Sequence, residues 1–208
     1  TIVFKLEGDA YEHIHTKELG EIIQNKATNV IAKFLSHCKQ SSSTVKIEYQ
    51  DEHLKSVLGM IMTLQVIEYF VKQIGRHFTL DFLIEEYNDS SSKNTITANL
   101  LNAAKRDESL KNLTYGWLND LQYQFNIEGE IVPIHSANPH SLTHWRVLSF
   151  ECDGKKLSIY PDGGFANGWN IEKNRTINRK FYQVDNTDTT DNIGIYRNQD
   201  IKFDVTIE

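Results

Sequence analysis

The 208 residues carry a formal net charge of −6, with 39% hydrophobic and 24% charged side chains, a balance that suits a globular domain with a sizeable core and excludes a largely disordered chain. No apolar run approaches the roughly eighteen residues that cross a bilayer, and the acidic balance excludes a surface that binds nucleic acid all over, because that affinity comes from neutralising phosphates. The two cysteines, Cys38 and Cys152, are too few and too far apart for a disulfide framework and point to an intracellular thiol state.

The opening TIVFKLEGDAYE has neither a basic start nor an apolar signal core, so no secretory segment is expected and the location follows as cytoplasmic or peripheral at a membrane. Ile2 to Leu6 alternates as a short strand. From Thr16 to about His37 the apolar residues fall near helical spacing, with Thr16 as N-cap. Val45, Ile47 and Tyr49 alternate as a strand ending at Gln50-Asp51. A long helix from Leu54 to Ile74 is apolar on so many sides that it is packed on more than one, and Gly75 stops it.

Phe78 to Ile84, FTLDFLI, is nearly continuous in apolar character and reads as a central strand covered by helices on both faces. The polar stretch Glu85 to Asn94 is then a loop at its carboxyl end. Thr95 to Phe125 reads as one long helix or two, with a weak point at Asp107-Glu108-Ser109, and Ile127 to Ile134 as a strand limited by Pro133. His135 to Pro139 reads as a loop, and Ile201 to Ile207 as a last strand. The order implies an α/β fold with a mixed, mainly parallel sheet, helices on both faces and a C-terminal β-hairpin. Residues 1–208 form one domain, with residues 1–26 an N-terminal extension without an assigned role.

The hairpin lies in THWRVLSFECDGKKLSIYPDGGFANGW, Thr143 to Trp169. Asp153-Gly154 between two alternating runs is a strong two-residue turn signal, and it sets Glu151 opposite Lys156. His144 and Arg146 are two apart, so on a strand they share a face. Gly163 and Gly164 then supply a permissive bend, and Lys173, Arg175, Arg179 and Lys180 form a basic cluster between Trp169 and Tyr182. A cation pair beside a glycine loop, with a basic-aromatic run after it, suits a phosphate-bearing ligand.

His144-Trp-Arg146, four residues more and Glu151 resemble the histidine-x-lysine-x4-aspartate motif of the phospholipase D superfamily, and Gly163-Gly164-Phe165-Ala166-Asn167 is similar to its downstream glycine-asparagine element. The order VKIEY, FTLDFLIEEY, EIVPIHS, THWRV, NGWNI further resembles the degenerate phospholipase D-like domain at the C-terminus of MIT-domain, ESCRT-associated proteins, over roughly Ala27 to Glu208. The resemblance implies a phospholipase D-like half, with phosphate held by His144, Arg146, Gly163, Gly164, Asn167, Lys173, Arg175, Arg179 and Lys180. If the chain were active, His144, Arg146 and Glu151 would be catalytic, and with one motif present a homodimer would bring two copies of His144 together.

Arg146 in place of lysine and Glu151 in place of aspartate favour a non-catalytic domain that binds anionic lipid or nucleic acid, or dimerises within an intracellular assembly. The alternatives are a homodimeric phosphodiesterase or nuclease using His144, and a purely structural subunit. His135, His140 and His144 span a strand boundary with no cysteine at ligand spacing, so no metal is expected, and no cofactor. There is no P-loop, dinucleotide glycine fingerprint or nucleophile-elbow serine in the 208 residues.

Overall fold

The computed structural model describes residues 1–6, 18–51, 57–85, 106–131, 135–137, 146–165, 169–171, 195–197 and 201–208. Their chain order is β1 (Ile2–Leu6), α1 (Glu18–Lys26), α2 (Thr28–Gln40), β2 (Val45–Asp51), α3 (Val57–Ile74), β3 (Phe78–Glu85) and α4 (Arg106–Phe125). Then follow β4 (Gly129–Ile131), β5 (His135–Ala137), β6 (Val147–Cys152), β7 (Lys155–Pro161), β8 (Trp169–Ile171), β9 (Ile195–Arg197) and β10 (Ile201–Ile207). The fold is α/β. Its main sheet has 8 strands in the order β1-β10-β7-β6-β2-β3-β4, with β5 also on β3, while β8 and β9 form a separate antiparallel pair.

The sheet is mixed but not mainly parallel. Only the pairings of β3 with β2, β4 and β5 are parallel among the described residues; β1/β10, β10/β7, β7/β6 and β6/β2 are antiparallel. The cause is the hairpin, which enters beside β2 and is extended outward by the two chain-terminal strands. The described N-terminal residues, 1–6 and 18–26, are integrated into the fold: β1 is the sheet edge, and α1 packs on α3.

Helices on both faces were expected, whereas the described helices all lie on one. Val45, Ile47 and Tyr49 on β2, Phe78, Leu80 and Phe82 on β3, and Leu148 and Phe150 on β6 are buried beneath them. The alternate positions are polar: Lys46 and Glu48 are exposed, and Thr79 and Asp81 half-buried. FTLDFLI therefore alternates like a one-sided strand, and its continuous look comes from Leu83, half-buried on the reverse.

The expected helix from Thr16 breaks into two. Ala27, at φ −118 and ψ 31, is not helical, and the Thr28 hydroxyl donates to the carbonyls of Gln24 and Asn25 at 3.1 and 2.9 Å, satisfying the end of α1. Thr16 lies outside the described residues, as does the start proposed for α3 at Leu54. That helix is buried on several sides, Met60 and Met62 included, and Gly75 stops it at φ 65 with its N–H on the Val71 carbonyl at 2.8 Å.

Of the helical stretch expected from Thr95, residues 95–105 lie outside the described residues; α4 starts at Arg106, beside the expected weak point at Asp107-Glu108-Ser109, and buries Leu113, Trp117 and Leu121. Trp117 packs on Phe78 at 6.0 Å between ring centroids and donates its indole N–H to Glu68 at 3.2 Å, so its polar edge is satisfied where its ring is buried. His135 to Ala137, expected as loop, is a strand because β3 offers it a parallel partner.

The hairpin forms at Asp153-Gly154, with φ 47 and 74 as a type I′ turn demands. Its register places Cys152 opposite Lys155 and Glu151 opposite Lys156. The hydroxyls of Ser41 and Ser43 donate to the two Asp153 carboxylate oxygens, fastening the turn to the link between α2 and β2. These two bonds, helped by the charges of His37 and Arg76, hold the Asp153 carboxyl below its usual range.

Candidate functional site

Strand β2 buries every second side chain, and the last of these is an acid, Asp51. Asp51 stands at the carboxyl end of a parallel pair, where β2 and β3 both finish, the place at which open α/β sheets present groups to ligands. Among the described residues, Tyr49 and Arg146 hold it. The Tyr49 hydroxyl, two residues earlier on the same face, donates to Asp51 Oδ2 at 2.8 Å. Arg146 Nε approaches Asp51 Oδ1 at 3.3 Å, with the side chains 22% and 5% exposed respectively.

The antiparallel ladder makes this meeting inevitable. β2 and β6 pair with Gln50 opposite Val147, so the next step outward sets Asp51 against Arg146. Burial pushes the Tyr49 phenol well above its ordinary value, and the charge of Asp51 and the bond to it add to the shift. Tyr49 therefore stays a neutral donor.

The glycine bend closes over this pair. Gly163 and Gly164 take φ 79 and 89, a backbone that a side chain strains, and a methyl at Gly164 would sit 3.2 Å from Asp51 Oδ2 and 3.3 Å from Arg146 Cδ. Gly164 N–H bonds the Pro161 carbonyl at 3.1 Å. Phe165, fully buried, anchors the bend from below by packing on Tyr49 at 5.7 Å and Phe203 at 6.3 Å between centroids.

Beside the bend lies a cavity of about 280 Å³ lined by Arg146, Tyr160, Pro161, Asp162, Gly163, Lys202 and Asp204. Lys202 reaches Asp204 at 3.6 Å. The hollow thus joins a guanidinium, an ammonium and a backbone of positive φ to two carboxylates, a mixed lining sized for one small charged group rather than a run of charge.

The structure brings Arg146, Gly163 and Gly164 together and sets Glu151 elsewhere. Glu151 is exposed at the far end of β6, between Lys46 on β2 and Lys156 on β7, where cross-strand pairing accounts for it. His144, Asn167, Lys173, Arg175, Arg179 and Lys180 lie outside the described residues, as do residues 86–94 of the loop after β3 and the histidine His140.

Asp51, Tyr49 and Lys202 were not among the expected site residues. A signal for Asp51 was present: in VKIEYQD the acid falls on the same alternate positions as Val45, Ile47 and Tyr49. A carboxylate on a buried face needs a partner. The sequence did not say which cation would supply it.

Cys38 and Cys152, far apart in sequence, are neighbours in space. Both are buried and free, and burial, then the nearby Cys152 thiol, pushes Cys38 up to about 12. Among the described residues no helix is long and apolar enough to cross a membrane.

The family model for the C-terminal domain of DEAD/DEAH box helicase YjiV matches residues 12–202, nearly the whole chain. No curated protein matches it. The match overturns the kinship with the phospholipase D superfamily and with MIT-domain proteins, and with it the reading of His144-x-Arg146-x4-Glu151 as a degenerate form of that superfamily's motif. The physical reason is visible in β6: Arg146 answers a buried acid at one end of the strand and Glu151 two lysines at the other, so their spacing reflects ladder geometry.

Proposed function

Because the chain belongs to the family of C-terminal domains of DEAD/DEAH box helicase YjiV, we propose that it is a non-catalytic binding domain that takes a nucleic-acid phosphate in the hollow between Arg146, Lys202 and Gly163. A helicase handles nucleic acid, and the 208 residues contain no P-loop with which to spend ATP. Binding and positioning a strand is the contribution left to such a domain.

The observation that carries the proposal is the anchoring of Arg146. Asp51 holds the guanidinium by charge, Nε 3.3 Å from Oδ1 without hydrogen-bond geometry, while the same side chain lines the cavity shared with Lys202. A guanidinium held at one edge presents its terminal nitrogens without further loss of rotamer freedom, and a phosphate accepts two parallel N–H bonds from that fork. The net charge of −6 confines such a contact to one place. With two cations, at most about two phosphates are neutralised, so log K should fall with log salt with a slope of about −1.4 for a single strand and −1.8 for a duplex.

Fluorescence anisotropy with a labelled single strand and the matching duplex, over a salt series, tests this. Lys202→Glu, at a side chain 55% exposed, should weaken binding about tenfold or more with the fold intact. Affinity unchanged in Lys202→Glu, or insensitive to salt, rejects the hollow as the binding place. Vesicles of anionic lipid serve as the comparison: preferential binding to them would reassign the phosphate to a membrane.

A further inference from the structure

A second cluster of chemistry lies at the other end of β6. His37 and Cys38 close the last turns of α2, and Cys152 and Asp153 end β6 and begin its turn. His37 Nε2 stands 3.1 Å from the Cys152 carbonyl. A ring nitrogen of His37, Cys152 Sγ and a carboxylate oxygen of Asp153 all lie within 4.8 Å of one another. Cys38, buried like Cys152, lies near it.

We propose that His37, Cys152 and Asp153 form a zinc-class metal site of three protein ligands, with the fourth position open to water. Imidazole, thiolate and carboxylate are the three ligand types that zinc takes in tetrahedral sites, and sulfur donors disfavour magnesium and calcium. Zinc bonds are about 2.0–2.3 Å long, so tetrahedral neighbours stand roughly 3.3–3.8 Å apart. The set therefore closes by at most about 1.5 Å when metal enters, a movement within reach of side-chain rotation at a helix end and a hairpin turn.

The surroundings suit ligation. In the tautomer that donates Nε2–H to the Cys152 carbonyl, Nδ1 keeps the lone pair, and a carbonyl on the other ring nitrogen is how ligating histidines are held. The Ser41 and Ser43 hydroxyls orient the Asp153 carboxylate in the same way. His37 also lines a cavity of about 820 Å³ with Asn29, Lys33, Gln40 and Lys155, a route by which a hydrated ion can arrive. On binding, the Cys152 thiol gives its proton to solvent and the metal takes the sulfur lone pair. The bond set would clip the end of α2 to the β6–β7 turn.

Cobalt(II) titration of the full chain, kept reduced by a non-thiol phosphine, provides the test. The expected result is a thiolate-to-cobalt charge-transfer band that saturates at a single metal and is displaced by zinc. Only two cysteines exist, and they adjoin each other, so the band locates the metal. Cys152→Ser should abolish it. Asp153→Asn preserves the turn, since asparagine tolerates positive φ there, and should weaken zinc binding by about tenfold or more in competition with a colorimetric chelator. No thiolate band in the wild type, or zinc affinity unchanged in a folded Asp153→Asn variant, overturns the site even if Cys152→Ser fails to fold.

Discussion

Replacing Arg146 by methionine keeps much of the side chain's bulk and takes the cation from Asp51. At the observed Nε–Oδ1 distance of 3.3 Å, two unit charges attract by about 5 kcal/mol at an effective dielectric constant near 20. Dehydrating a carboxylate only 5% exposed offsets much of that when the pair forms. Removing one partner is not offset in this way, because the Asp51 carboxylate remains buried under Gly164 after the Arg146 charge has gone. The loss expected is about 3 kcal/mol, which lowers the thermal midpoint of a chain this long by roughly 6–12 °C. Arg146→Met combined with Asp51→Asn removes both charges, and the asparagine still offers Tyr49 an acceptor. The double variant should recover about 1 kcal/mol or more relative to the sum of the single losses. Urea unfolding followed by circular dichroism measures all three variants. If Arg146→Met costs less than about 1 kcal/mol, the value for an exposed pair, or if the two changes simply add, the pair does not act as a buried unit.

Gly164→Ala should cost about 2 kcal/mol, from positive φ and from a methyl 3.2 Å from Asp51 Oδ2, and should weaken oligonucleotide binding by displacing Arg146; a fully stable variant with wild-type affinity contradicts this. Gly154→Ala at φ 74 with open space around it should lose about 1 kcal/mol in urea unfolding, while Gly154→Asn is nearly neutral; equal losses would show that turn conformation is not the cause. Tyr49, whose folded pKa is raised, contributes stability that is complete below its ordinary value of 10.0 and is lost as pH rises above it. The urea midpoint of the wild type should accordingly fall more steeply above pH 10.0 than that of Tyr49→Phe, and parallel curves would remove Tyr49 as the source.

What the sequence made legible was local. Asp153-Gly154 forms its turn and sets Glu151 against Lys156 because two consecutive residues of positive φ leave a chain few other conformations. Gly75 stops α3 for the same kind of reason. The balance of parallel and antiparallel pairs was not legible, because it depends on β6 entering beside β2 and on β10 joining β1 to β7, choices no short window encodes. The site divides in the same way. Arg146 and the two glycines were within reach of a short window, whereas Asp51 is joined to Arg146 across 95 positions of chain. The two cysteines, far apart in sequence and read as free thiols rather than a disulfide framework, are free and come near each other because the same ladder brings the end of β6 to the end of α2.

Both clusters therefore have one structural origin. β6 runs antiparallel to β2 with Lys46 opposite Glu151 and Gln50 opposite Val147. Its beginning must then meet the carboxyl end of β2, where the core face closes on Asp51, and its end must meet the amino end of β2, just after α2 delivers His37 and Cys38. A shift of one residue in this register would turn Leu148 and Phe150 out of the core. It would also part Arg146 from Asp51 and Cys152 from Cys38. The burial of those two side chains, each worth roughly 1.5–3 kcal/mol, is thus what fixes the polar groups at both ends of the strand. Conversely, a metal clip at the Cys152 end would resist slippage of β6 and so stabilise the Arg146 end, some six residues away along the strand.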